Sequence, residues 1–170
     1  MKLEKTSGKH IYFPYYGYVH LLINLLYYCK AGIYNNEKLS FSMDRKLFYP
    51  VCNDLVKENI PKESIDFVSV RGLISDCIEN GLEGLKRQIR NYESDAIQAG
   101  YTGIRWIGQP SFAIKETSKE NFLYWEKYLT KGYRNTSSTM LCIYDFEDYL
   151  NFGELIDEDI IRGLSITHSH

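Results

Sequence analysis

The chain has 170 residues, enough for one well-buried core, and its 20 basic residues against 22 acidic ones leave a net charge of -2. That balance excludes the basic surface by which domains grip DNA or RNA. No segment approaches the roughly 20 apolar residues of a membrane span, and the opening "MKLEKTSGKH" has no apolar run of signal-peptide length, so a cytoplasmic protein is expected.

Cys29, Cys52, Cys77 and Cys142 are widely spaced and form no C-x-x-C pair, which favours reduced, structural thiols. Fifteen tyrosines are a marked enrichment that suits pocket walls or a contact surface. In chain order, "HIYFPYY" predicts a first strand. The helix after it offers Val19, Leu22, Ile23, Leu26 and Tyr27 as one apolar face and Leu21, Leu25 and Cys29 as another, ending near Gly32. "KLSFSMD" predicts a second strand, and Asp44 caps a second helix bearing Leu47, Phe48, Val51 and Leu55, which runs out before Pro61.

"SIDFVSV" alternates as a third strand. After a Gly-containing connection, Leu82, Leu85, Ile89, Tyr92 and Ala96 mark a third helix that stops by Gly100. "GIRWIG" is a fourth strand, and Thr117 with Glu120 has capping-box spacing ahead of a helix with Phe122, Trp125 and Leu129 on its apolar stripe. The unbroken apolar run of "TMLCIYD" predicts a fifth strand covered on both faces, and a last helix holds Tyr149, Phe152, Leu155 and Ile156. Strands alternating with helices imply a three-layer α/β/α sandwich around a mostly parallel sheet of about five or more strands, one domain over residues 1–170.

The run "AIQAGYTGIRWIGQPSF", then "YWEKYLTKGY", "TMLCIYD" and "GLSITH", resembles the MEDS domain, the sensory domain of methanogen and methylotroph regulators that include the dichloromethane-responsive repressor. The opening "HIYFPYYGYVHLLINLLYYCKAGIYNNEKLSFSMD" is similar to that family's first strand-helix-strand. The resemblance implies a sensory or regulatory domain related to RecA/KaiC-like ATPases that has lost nucleotide hydrolysis. Such domains usually stand beside a DNA-binding or kinase module, and this chain shows no segment of either kind, so direct nucleic-acid binding is not expected.

A phosphate loop would need Lys and Ser/Thr in the first turn, where this chain has Tyr15, Tyr16 and Gly17. The expected function is therefore non-catalytic: a small-molecule ligand or a regulatory protein partner is bound where strands end, with no cofactor. The expected rim is Tyr15, Tyr16 and Gly17 after the first strand, Asp44 and Arg45 after the second, and Arg71 after the third. Gln109 after the fourth and Asp145 after the fifth complete it. For Asp145, capping the next helix competes with holding a metal.

Arg105 lies inside a predicted buried strand and needs a carboxylate, for which Glu126 is the candidate. His10, His20, His168 and His170 form no metal motif, and no metal site is expected. Two alternatives stay open. One is an interaction or homodimer surface built on Tyr124, Tyr128 and Tyr133; the other is a hydrolase or transferase using Asp145 with His10 or Asp44.

Overall fold

A computed structural model describes residues 7–151, with side chains described to residue 148. The elements run β1 (His10–Tyr15), α1 (Gly17–Tyr34), β2 (Lys38–Ser42), α2 (Arg45–Lys57), β3 (Ile65–Phe67) and α3 (Val70–Gln98). They continue through β4 (Ile104–Gly108), α4 (Pro110–Glu116), α5 (Lys119–Tyr133), β5 (Thr139–Asp145) and α6 (Phe146–Asn151). Among the described residues the strands form one five-stranded sheet in the order β1-β5-β4-β2-β3, and every pairing is parallel. The α/β/α sandwich expected from the alternation of elements is what forms.

Each face of the sheet carries its own buried cluster. Leu21, Leu25 and Cys29 of α1 and Phe48, Val51 and Leu55 of α2 pack on Leu39, Phe41, Ile107, Leu141 and Ile143. On the other face, Leu73, Ile74, Leu85 and Ile89 of α3 and Phe122, Trp125 and Leu129 of α5 pack on Trp106, Met140, Cys142 and Tyr144. Successive strand residues alternate between these clusters, as the period of two requires. All six of the residues Thr139 to Tyr144 are buried, which is why β5 reads as an unbroken apolar run. The four cysteines are free, three of them buried.

Several boundaries differ from the sequence reading. Helix α1 presents Leu21, Leu25, Cys29 and Gly32 to the sheet and leaves Val19, Ile23 and Tyr27 more than half exposed. A helix apolar all round offers two stripes, and the sheet takes the one with small residues. A Cβ at Gly32 would lie 2.7 Å from Arg105 Cδ and 2.9 Å from Leu39 Cδ2, so only glycine admits this approach. Strand β3 is three residues long, because the chain turns into α3 at Val70.

The expected connection before the third helix is itself helical. Residues Val70–Gln98 form α3, broken at Gly81 by φ 59° and ψ -145°, a combination open only to glycine. The cap of α5 is Ser118, whose hydroxyl accepts the Asn121 N–H at 3.0 Å, not Thr117. The unpredicted α4 uses Thr117 as its end, where the Thr117 hydroxyl donates to the Ala113 carbonyl at 2.7 Å. Residues Phe152, Leu155 and Ile156, and the side chain of Tyr149, lie outside the described part.

The expected Arg105–Glu126 pair is also corrected. Arg105 Nε donates to Glu37, both side chains being almost fully buried, and its guanidinium stacks over the Tyr28 ring at 4.7 Å. Register explains the partner. Arg105 lies opposite Leu39 in β2, so Glu37, two residues before Leu39, faces the same way, toward α1. Glu126 belongs to α5, on the far side of the sheet.

Candidate functional site

Helix α2, after β2, packs on one face of the sheet, whereas α3 after β3 and α4 after β4 pack on the other. Chains that part in this way open a crevice at the carboxyl ends of the strands, the place where parallel α/β sheets bind ligands. Gln109 ties the two sides together there. Its side-chain Oε1 accepts the Asp44 N–H at 2.9 Å, and its own N–H donates to the Ser42 carbonyl at 3.0 Å. Asp44 caps α2 as its type predicts, taking the Lys46 N–H on Oδ1 at 2.8 Å.

An open groove of about 450 Å³ follows, lined by Asp44, Arg45, Phe67, Ser69, Val70, Phe112 and Glu116. Arg45 lies over the Phe67 ring at 4.2 Å and donates to the Tyr49 hydroxyl at 3.1 Å, which holds its charge at the mouth. Arg71 pairs with Glu116 at 3.0 Å, placing a second guanidinium at the rim. Below the groove lies a void of about 10 Å³, room for one water, lined by Ser42, Gln109, Met140 and Cys142 among others. Val70 forms part of the wall of both.

The other expected rim residues gather separately, across β4, at the ends of β1 and β5. Tyr15 is only 3% exposed and packs with the α1-side cluster. Burial first, then the charge of Asp145 and a hydrogen bond to it, raises the Tyr15 phenol well above its ordinary value of 10.0, so it stays neutral. Asp145 also accepts the Glu147 N–H at 2.9 Å, which caps α6. Tyr16 is exposed and stacks on Phe146, ring centroids 4.6 Å apart, while its N–H donates to His20 Nδ1 at 3.0 Å. Gly17 opens α1 with a φ of 69°. The eight expected residues therefore fall into two groups: Asp44, Arg45, Arg71 and Gln109 at the groove, and Tyr15, Tyr16, Gly17 and Asp145 at the far edge.

His10 and Asp145 lie at opposite ends of the β1–β5 pair, since His10 is opposite Met140 and Tyr15 is opposite Asp145. Five residues of strand separate them, about 16 Å, so they share no reacting centre. Tyr133 is 3% exposed and cannot serve a contact surface, although Tyr124 and Tyr128 form an edge-on pair with Lys127 over both rings.

Phe67, Phe112 and Glu116 of the groove escaped the sequence reading. Phe112 and Glu116 sit on α4, a helix of 7 residues too short to betray itself by period. A second constellation also escaped it. His10 Nε2 lies 3.2 Å from Cys142 Sγ and 3.6 Å from Glu126 Oε1, and His10 Nδ1 lies 3.2 Å from the Thr130 hydroxyl. The only sequence signal was the polarity of His10 and Glu126 on otherwise apolar faces.

No curated protein matches the chain. The family model described as "MEthanogen/methylotroph, DcmR Sensory domain", MEDS, matches residues 9–169. That span includes the whole sheet, the helices on both of its faces and the groove at the strand ends. The chain belongs to the MEDS family of sensory domains.

Proposed function

We propose that the chain is a non-catalytic sensor: a small molecule with a polar end and an apolar body occupies the groove at the ends of β2 and β3, and its presence is relayed to a partner protein. The observation that carries this reading is the groove itself, at the point where the sheet's connections diverge. It has the volume of a small-molecule site, with Phe67 and Phe112 as apolar walls and Arg45, Asp44 and Glu116 to orient a polar group. The family's sensory role supports it.

A pseudo-ATPase history fits the β1–α1 turn. Tyr15, Tyr16 and Gly17 offer no ammonium or hydroxymethyl group to a nucleotide, and the Tyr16 N–H is already taken by His20. Native mass spectrometry of the chain purified from its own cells tests the reading. A retained small-molecule mass that disappears in Arg45→Ala and in Phe67→Ala is expected. Magnesium-dependent ATP turnover that is lost in Asp145→Asn would overturn it.

Relay through protein contact has a specific supporting observation. Tyr16, just before α1, and Val19, Ile23, Tyr27 and Tyr34 of α1 are exposed, from 51% to 79%, an apolar stripe with aromatic anchors of the kind that interfaces use. Light scattering of the wild type and of Ile23→Glu tests self-association through this face. A concentration-dependent dimer that Ile23→Glu abolishes is expected if the contact is between copies, and an unchanged mass in both assigns the stripe to a different partner or to none.

A further inference from the structure

His10, Glu126 and Cys142 come from three separate elements: the first residue of β1, the middle of α5 and the middle of β5. Each is about 1% exposed. Register brings the two strand residues to one face, since Tyr12 lies opposite Cys142 and His10 is two residues before Tyr12. Helix α5 crosses above them, and its i, i+4 pair Glu126 and Thr130 approaches the two nitrogens of the same imidazole.

We propose that this trio is a binding site for one divalent first-row transition ion, with zinc as the natural occupant, and that a single non-protein ligand completes its coordination. The donor geometry supports this. One ligand atom from each residue lies within 4.8 Å of the others, and the two closest pairs are 3.2 and 3.6 Å apart. Donors 2.0 to 2.3 Å from a tetrahedral zinc lie about 3.3 to 3.7 Å from one another, so small side-chain adjustments admit the ion.

The donor set selects the metal class. A thiolate and an imidazole suit zinc, iron, cobalt or nickel, whereas magnesium and calcium prefer oxygen. The charges also close. A divalent ion, one thiolate, one carboxylate and a neutral imidazole sum to zero, which is what a site deep in an apolar layer requires, and the displaced thiol proton leaves to solvent.

The outer shell is in place as well. With Thr130 on Nδ1, the His10 ring is turned so that Nε2 faces the thiol and the carboxylate, the arrangement by which metal-bound histidines are oriented. Three protein ligands and one open position distinguish reactive or sensing zinc sites from closed structural ones. Cys142 also lines the one-water void beneath the groove, so space for a fourth, exchangeable ligand lies beside it.

The test uses cobalt(II) as the probe. The full chain, stripped with EDTA under reducing conditions, is titrated with Co²⁺, both when native and during refolding from urea, so that slow entry into a buried site cannot mask binding. The expected result is one Co²⁺ per chain with a thiolate-to-cobalt charge-transfer band and strong visible bands of four-coordinate geometry. Cys142→Ser should remove the charge-transfer band, Cys77→Ser should keep it, and Thr130→Val should keep the band while weakening affinity roughly 10- to 100-fold. Far-UV circular dichroism shows which variants fold, and Glu126→Gln serves as the near-isosteric alternative should Cys142→Ser not fold. A wild type that takes up no stoichiometric Co²⁺ by either route, or a band that survives in folded Cys142→Ser, would overturn the proposal.

Discussion

Arg105 shows at the residue scale what sequence can and cannot say about a buried charge. Its place in the predicted strand "GIRWIG" requires a carboxylate partner, and that requirement was legible. The identity of the partner depends on which face Arg105 takes, and that is fixed by the register against β2, a long-range fact with no local trace. Glu37 sits in a short turn where nothing marks it as buried. Removing it leaves a guanidinium in the core with no carboxylate, so Glu37→Gln should cost about 3–5 kcal/mol. Arg105→Met alone should cost similarly by stranding Glu37, while the double variant Glu37→Leu/Arg105→Met should recover a large part of the loss. Urea melts of the four proteins give the coupling. Strictly additive losses would show that the pair contributes nothing of its own. Tyr15 teaches the same lesson in reverse: a tyrosine at a strand end reads as a rim residue, yet its burial and its bond to Asp145 make it part of the core.

Elements differ in legibility according to whether their pattern is local. Strands β1, β2, β4 and β5 and helices α2 and α5 follow from apolar runs, periods and caps, and the sequence showed them with small errors at the ends. The ambiguous cases are those where two periods compete or where a glycine intervenes. Helix α1 is apolar on more than one side, so its period alone could not choose the buried stripe, which close approach at Gly32 decides. In α3, Gly72 and Gly81 suggest a connection, yet only Gly81 departs from helical geometry. Its φ of 59° with ψ of -145° is closed to residues with a Cβ, so Gly81→Ala should destabilise the protein by about 1–3 kcal/mol, although a Cβ there would have no nearer neighbour than the Tyr124 hydroxyl at 3.8 Å. Gly72, helical and with open space around its Cα, is the contrast: Gly72→Ala should be neutral or stabilise by up to about 1 kcal/mol. Denaturant midpoints of the two variants check the pair, and equal effects would show that the kink carries no backbone constraint.

At the scale of the whole molecule, the sheet joins two chemically different layers. Between β4 and α1 lie Arg105, Glu37, Tyr28 and Cys29, a polar group enclosed in an apolar layer. This enclosure governs how the fold responds to alkali. Burial pushes the Cys29 thiol up to about 12 from an ordinary 9.0, against the opposing pull of Arg105, and burial likewise raises the Tyr28 phenol well above 10.0. Both groups are neutral in the folded and unfolded chain at neutral pH, so their contribution to stability is complete there. Above pH 9 the unfolded chain gives up the Cys29 proton while the folded chain keeps it, so the native state binds more protons and stability must fall as pH rises. The slope from one such group is about 1.4 kcal/mol per pH unit, and Tyr28 adds to it above its ordinary value of 10.0. Urea melts of the wild type at neutral pH, at about pH 9 and at about pH 11 should show stability flat over the first interval and dropping over the second. In Cys29→Ala the cavity lowers stability at every pH, but the drop above pH 9 should shrink by one proton's worth of slope. Parallel curves for the two proteins would mean that the thiol titrates freely in the folded state, and that the α1 layer admits water where the packing of Leu25, Cys29 and Arg105 excludes it.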